Sequence, residues 1–491
     1  MNRNYILETI LDMEFVNKKA LFSEDEAYSF ADIYKKAYSL ALKLKELGLQ
    51  KGDKIIVQSS NILTQIIPFY SSQLLGLVYV PIDINYQENI VSHIIDTTKA
   101  KVFIGSLETN ERKNLINLDE DEVKSIKIEN NKKLDLQMHS LDMLSVILFT
   151  SGTTGLPKGV MLSNDNLYKS AKTILDNYLW NSKDRVLNLA PIHTMSGIRN
   201  SFIVPLLSQS ELILYNSKKS SFFEIIDTIY NLKASILLAS PVLIKQINLF
   251  KNRVSPDMFK SLKYIMSTGN TLSLEILEEF YSAFKIPIYN YYGLTETTGI
   301  CIAQTPKKHS YTPYNIGFPL NCEIKIDKQN PNSDIGILKV RGNNMLGYYN
   351  QNEQTAKVID KDGWFNTNDL VSLNDDGSIK LYGRCDDAFN NEYTELIFPQ
   401  EIESVVMRIE NISQCCVFDY NSKNSIVKIG AAVTVEEPLD SNLLLNSINK
   451  EIESRLSATK KLSRLWIVDS TPTTNYGKIN RKELKRRLTN A

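Results

Sequence analysis

From Ser29 to Gly269 the sequence alternates short aliphatic runs with stretches that place apolar residues every three or four positions, without an internal repeat. SFADIYKKAYSLALKLKELGL reads as a helix closed by glycine, KGDKIIVQS as a strand and ILTQIIPFYSSQLLGL as the next helix. YVPIDINY gives a strand and a turn, ENIVSHIIDTTKA a helix and KVFIG a strand. The rhythm continues through RVLNLAP, ELILY, ASILLAS and KYIMSTG. Helices alternating with strands bury their apolar faces by lying on largely parallel sheets, so layered α/β domains are expected. The chain has 491 residues, too many for one core, which predicts two or more domains.

The texture changes around Gly317. CEIKIDK, GILKVRG and SIKLYGR are short alternating strands separated by turn residues, a small β-rich region. Beyond Gly383-Arg384 a last unit reads IFPQEIESVVMRI (helix), QCCVFDY and SIVKIGAAVTVE (strands), LLLNSINKEIESRLS (helix) and LSRLWIVDS (strand). The boundary is placed at YGRCDD, giving domains over 1–384 and 385–491. LINLDEDEVKSIKIENNKKLDL reads as a charged surface connection.

Lysine plus arginine number 56 and aspartate plus glutamate 56, a balance that gives no support for bulk binding to nucleic acid or anionic membrane. The basic ending KINRKELKRR reads equally well as a solvated helix end. Cys301, Cys322, Cys385, Cys415 and Cys416 form no CxxC pair and suit reduced thiols, while His93, His139, His193 and His309 lie too far apart to read as a metal site. MNRNYILETILDMEF has acidic residues where a secretory leader needs an apolar core. IIPFYSSQLLGLVYVPI is broken by proline, serines and glutamine, so no membrane span is expected and the cytoplasm is the expected location.

TSGTTGLPKG (Thr150–Gly159) follows the apolar run LSVILF. Backbone N–H groups of a turn bent at Gly152 and Gly155 form a concave donor set for phosphate oxygens. The hydroxyls of Thr150, Ser151, Thr153 and Thr154 add donors, and Lys158 adds a mobile positive charge. The pattern GxxxxGK[ST] does not match: Gly159 follows the lysine, so no hydroxyl stands beside it for Mg²⁺.

Six more segments follow this loop in order. They are STGN (Ser267–Asn270), YYGLTET (Tyr291–Thr297), GILKVRGNNMLGYYN (Gly336–Asn350), GWFNTNDL (Gly363–Leu370), LYGRCDD (Leu381–Asp387) and NYGKINR (Asn475–Arg481). Together the seven resemble the signature set of the adenylate-forming superfamily: acyl-CoA synthetases, peptide-synthetase adenylation domains and luciferases. The resemblance implies an α/β fold, with a large N-terminal domain of two α/β subdomains plus a small β-barrel, then a small mobile α+β C-terminal domain. It implies a two-step reaction. A carboxylate attacks the α-phosphorus of ATP, releasing pyrophosphate, and the acyl-adenylate then passes its acyl group to a thiol of coenzyme A or carrier-bound phosphopantetheine.

The same likeness implies residue roles. Glu296 ligates Mg²⁺ and Thr295 hydrogen-bonds the phosphates. Tyr292 stacks on adenine, with Tyr291, Gly293, Gly269, Asn270 and Asn290 around the base. Asp369 accepts the ribose hydroxyls, and Arg384 is the second ribose or phosphate contact. Lys478 serves the first step, where a point-charge ammonium suits moving negative charge. Asp386 matches the hinge. PIHTMSG (Pro191–Gly197) resembles an element that would set His193 at the mouth of the acyl pocket, with IRNSFIVPL and GNTLSL as walls.

Amino-acid adenylation domains carry an aspartate in that element; PIHTMSGIRNSF has none, which argues for a small, medium or aromatic carboxylic acid. Two departures stand out. Asn368 replaces the glycine before Asp369, a change tolerable at positive φ. DDAFNNEYTELIFPQEIE has Asn390 where the family has lysine and lacks the glycine of the loop that lines the pantetheine tunnel. Adenylation is therefore more firmly indicated than thioester formation. The leading expectation is an acid–CoA ligase, with a stand-alone adenylation enzyme loading an acyl or peptidyl carrier protein as alternative. Lys158, Glu296, Asp369 and Lys478 argue against a non-catalytic nucleotide- or acyl-binding relative.

Overall fold

The computed structural model describes residues 4–107, 115–129, 132–136, 139–150, 156–215, 221–269, 272, 274–310, 312, 314–328, 333–393, 395–421, 426–472 and 479–489. The chain forms two compact units. The first comprises Met1–Ile324, Val340–Phe365 and Asp376–Ser378; the second comprises Lys325–Lys339, Asn366–Asp375 and Ile379–Ala491.

Two sheets organise the first unit. One has seven strands in the order Gly347–Tyr348, Lys158–Ser163, Leu144–Thr150, Val78–Pro81, Lys54–Val57, Val102–Ile104, Ile116–Leu118. Its members from Leu144–Thr150 onward pair parallel; the first three pair antiparallel. In the other, Ile288–Tyr292, Tyr264–Ser267, Ile236–Ala239, Arg185–Asn188, Glu211–Ile213 and Lys19–Phe22 run parallel. This is the parallel α/β layering that the alternation predicts.

Helix ends follow local chemistry. Ser29 and Asp32 close a capping box on Phe30–Glu46, and Asn61 caps Ile62–Leu75, which stops at left-handed Gly76. Nearly every residue of Ile62–Leu75 is buried, including the polar Thr64, Gln65, Ser71, Ser72 and Gln73.

In the second unit, Phe365–Leu373 and Ile379–Arg384 pair antiparallel and set Asp369 opposite Arg384. After a short helix, Cys385–Asp387, a three-stranded sheet of Ile412–Asn421, Val427–Val435 and Arg464–Ile467 packs with the helices Pro399–Val406 and Ser441–Arg455 on a core that includes Ile402, Val417, Ala431 and Ile448. The basic ending is the helix Arg481–Thr489, buried only through Leu484.

The charged segment after Leu115 holds more order than expected. Ile116–Leu118 joins a sheet edge and Glu120–Lys124 forms a short helix. Leu118 and Val123 are its buried apolar anchors, too few to set a readable period. Among the described residues no helix is long and apolar enough to cross a membrane. None of the five cysteines is in a disulfide.

Candidate active site

The buried strand Leu144–Thr150 delivers Thr150 to its C-terminal end, opposite Lys158 in antiparallel register. Ser151, Gly152, Thr153, Thr154 and Gly155 lie outside the described residues. The next strand in the sheet, Gly347–Tyr348, places the Tyr348 ring 5.2 Å from Lys158 Nζ. The hydroxyl of Tyr348 donates to Glu296 Oε1 at 2.9 Å, and Met345 N donates to the Glu296 carbonyl at 2.8 Å. Lys158 and Glu296, far apart in sequence, are thus brought together by one tyrosine that sequence reasoning missed. Nothing in GILKVRGNNMLGYYN marks Tyr348 as a partner of Glu296, since their contact depends on sheet register.

Thr295–Thr297 is a single 3-10 turn, closed by Leu294 N donating to Thr297 Oγ1 at 2.9 Å. Thr298 and Gly299 follow at φ of 52° and 83°, and a Cβ on Gly293 would lie 2.6 Å from the Gly299 carbonyl carbon and the Ile300 nitrogen. Only glycine fits that approach. Thr298 Oγ1 donates to the Asn343 carbonyl at 2.7 Å, and Ser170 Oγ donates to the Thr298 carbonyl at 2.7 Å. Thr295 and Glu296 are therefore held by backbone bonds rather than left on a free loop.

Tyr264–Ser267 and Ile288–Tyr292 run side by side, with Ser267 opposite Asn290. Gly269 has φ +91°, and a Cβ there would meet nothing within 4 Å; Asn270 lies outside the described residues. Asn290 is 7% exposed, and its Oδ1 has no hydrogen-bond partner among the described residues, a buried acceptor of the kind a base edge could satisfy. Along this strand successive side chains face opposite ways. The Tyr291 hydroxyl lies 2.6 Å from Ser196 Oγ, and its ring carries the Arg199 guanidinium at 5.2 Å. Tyr292 is buried on the opposite face.

Within IRNSFIVPL, expected as pocket wall, Arg199–Ile203 forms a π-helical turn with every residue buried. Arg199 is fully buried; it donates through Nε to Asn200 Oδ1 at 3.1 Å, and burial lowers its pKa. His193 Nε2 lies 3.7 Å from Asp83 Oδ2. Burial lowers the His193 pKa and Asp83 opposes the shift, so the net direction favours the neutral ring.

In the second unit Arg384 Nη1 donates to the Thr367 carbonyl at 3.0 Å and to Asp369 Oδ1 at 3.4 Å. Asp369 is 5% exposed. Asn368 has φ +60°, the conformation its glycine-like position requires. Asp386 sits in the short helix Cys385–Asp387, and Lys478 lies outside the described residues.

Residues 12–349 match the AMP-binding enzyme family. The chain belongs to that family. This AMP-binding enzyme is 25% identical over 476 residues to a 2-succinylbenzoate–CoA ligase of Oceanobacillus iheyensis, covering 95% of this chain and 96% of the relative. Its fold is that of ATP-bound MatB from Rhodopseudomonas palustris (TM-score 0.88, 21% identity, 100% and 99% of the two chains covered). It is also that of the O-succinylbenzoate coenzyme A synthetase of Bacillus subtilis in complex with ATP and magnesium ion (TM-score 0.85, 22% identity, 97% and 99% covered). The expected α/β architecture of the AMP-binding enzyme is thereby borne out.

No cluster of three or more His, Cys, Asp or Glu occurs among the described residues, so they offer no all-protein metal cage. A lone, half-buried carboxylate at Glu296 fits Mg²⁺, which keeps several waters and shares phosphate oxygens with one or two carboxylates.

Proposed function

We propose that this AMP-binding enzyme activates a small or medium aliphatic or aryl carboxylic acid with ATP and then transfers the acyl group to coenzyme A. In the first half-reaction a carboxylate oxygen bonds to the α-phosphorus as the bond to the β-phosphate breaks, and pyrophosphate leaves. In the second the thiol sulfur bonds to the acyl carbon, AMP leaves, and the thiol proton passes to solvent. The observation that carries the reading is the convergence of Lys158, Tyr348 and Glu296 beside the end of the Leu144–Thr150 strand.

The residue roles follow from charge. Thr150, Lys158 and the intervening Ser151, Gly152, Thr153, Thr154 and Gly155 grip the β- and γ-phosphates. Glu296 would hold Mg²⁺, whose chemistry when bound is neutralisation of phosphate charge. Thr295 hydrogen-bonds the phosphates; Tyr292 stacks on adenine, with Asn290, Tyr291, Gly293, Gly269 and Asn270 around it. Asp369 accepts the ribose hydroxyls and Arg384 steadies Asp369. Neutral His193 stands at the acyl side. Lys478 supplies the ammonium that offsets charge on the reacting carboxylate and α-phosphate. Asp386 is the hinge of a C-terminal domain, 385–491, that moves between half-reactions.

Coenzyme A is the acceptor favoured by the relative's activity as a CoA ligase. A carrier-borne phosphopantetheine is the rival arm of the test. Free cysteines support a reducing, cytoplasmic setting.

The deciding experiment is a carboxylic-acid panel scored by pyrophosphate release, with and without coenzyme A or a loaded carrier protein, on the parent and on Lys478→Ala. Acid-dependent release that the variant loses supports the reading; release unchanged in the variant removes Lys478 from it.

A further inference from the structure

The helix Asn164–Tyr178 starts where the strand Lys158–Ser163 ends, so one continuous piece of chain carries Lys158 and then turns into the helix. Its third residue, Asn166, is 6% exposed and uses every hydrogen-bonding group it has. Asn166 N donates to Ser163 Oγ at 3.1 Å, and Ser163 N donates to Asn166 Oδ1 at 3.0 Å, the capping box of the helix. The side-chain amide directs both its hydrogens elsewhere: Nδ2 donates to Asn343 Oδ1 and to the Asn344 carbonyl, each at 2.9 Å. Asn343 Nδ2 returns a bond to the Asn166 carbonyl at 2.9 Å. A helix cap needs only the exchange with Ser163, so the bonds to Asn343 and Asn344 serve something other than the helix end.

What those bonds hold is the stretch that wraps the Thr295–Thr297 turn. The Asn343 carbonyl accepts from Thr298 Oγ1, Met345 N donates to the Glu296 carbonyl, and the Tyr348 hydroxyl donates to the Glu296 carboxylate. Ser170, one helical turn after Asn166 and on the same helix face, donates to the Thr298 carbonyl at 2.7 Å. Thr298 is fully buried and has φ +52°. A β-branched residue is strained in that left-handed conformation, which persists only where the surroundings hold it. One face of one helix thus holds Thr298 from both sides, directly through Ser170 and by way of Asn343 through Asn166. The far end of the wrapping stretch, Gly347–Tyr348, is fixed by pairing with the Lys158–Ser163 strand; Asn166 fixes its near end. Every residue in this chain of contacts belongs to the first unit.

We infer that Asn166 is a positioning residue for Glu296. Acting through Asn343 and Thr298, it fixes the Glu296 turn relative to Lys158, so that ATP carrying its magnesium meets both groups already in place. The inference rests on the role given above to Glu296.

The test is calorimetric titration of the full chain with ATP in the absence of any carboxylic acid, once with magnesium and once with EDTA. Asn166→Ser removes the amide without adding charge. Thr298→Ala and Thr298→Ser both lose the methyl, but only the alanine loses the hydroxyl that reaches Asn343. Asn166→Ser and Thr298→Ala should each weaken ATP binding about tenfold with magnesium, the scale of one or two lost hydrogen bonds, and leave the affinity in EDTA at the parent value. Thr298→Ser should stay close to the parent in both. The Thr298 pair stays readable even where Asn166→Ser fails to fold. Equal weakening with and without magnesium, no weakening in either, or a Thr298→Ser affinity as low as that of Thr298→Ala, overturns the inference. Glu296→Gln separates the two levels. If it keeps the gain in ATP affinity that magnesium gives, the metal role of Glu296 fails and the inference with it. If it loses that gain while Asn166→Ser and Thr298→Ala keep it, the inference alone fails.

Discussion

The hydroxyl of Tyr348 donates to Glu296 Oε1 at 2.9 Å across 52 residues of sequence. The bond fixes one carboxylate oxygen and leaves the other for a cation. The ring face meanwhile receives the Lys158 ammonium at 5.2 Å, so one side chain orients both charges expected to bracket the phosphates.

Tyr348→Phe keeps the ring and removes the bond. A hydrogen bond to a charged group is worth about 1.5–3 kcal/mol, so kcat/KM should fall at least about tenfold. Titrating magnesium in the pyrophosphate-release assay should show a raised requirement, with little change in Tm. An unaltered magnesium dependence would show that the bond has no part in orienting Glu296.

Gly293→Ala places a methyl 2.6 Å from backbone atoms of Gly299 and Ile300. Backbone cannot rotate away as a side chain can, so the cost should be about 1–3 kcal/mol of stability. Because the displaced segment holds Thr295 and Glu296, activity should fall further than the melting curve alone explains. Chemical denaturation alongside ATP-dependent kinetics checks both.

Asp369→Asn tests the ribose role. The variant retains one acceptor oxygen but loses the charge and its partnership with Arg384. The Michaelis constant for ATP should rise about tenfold, with that for the acid little changed. A matching rise in both would point to a general loss of structure.

Acid should weaken the fold through a buried histidine, His139, and a largely covered one, His193. Desolvation lowers the pKa of His139 and of His193 from the ordinary 6.5. A folded pKa below the unfolded value means that the unfolded chain binds more protons in the interval between them. Their contribution is full above about pH 6.5 and is lost as pH falls through the interval. Urea midpoints from pH 8 down to pH 5 should decline, and His139→Asn should flatten part of that slope. His139 is the cleaner probe, since its ring packs on Gly76, away from the residues assigned to the reaction.

Most of the strand–helix order was legible, because period and capping residues are local properties. Ser29, Asn61 and Gly76 mark helix ends that the structure places where the residues suggest. Asn368 at φ +60° is equally a local matter, one residue accepting a conformation usually left to glycine. The stretch IRNSFIVPL was read less well: its composition suggests a pocket lining, yet Arg199–Ile203 is wholly buried and bonds inward. A buried polar network is hard to read in sequence, since its partners, Ser170, Ser196 and Tyr291, come from separate elements.

Local residue pattern sets the parallel α/β layering, the position of a glycine-rich segment after a buried strand, and the chemical types available to hold a nucleotide. Each depends on neighbours within a few positions, where steric and hydrogen-bonding preferences act directly. Tertiary packing alone sets Tyr348 between Lys158 and Glu296, and Arg481 against Asp387 and Glu403. Those pairings depend on sheet register and helix placement, which are set by burial of the core as a whole and carry no local signature.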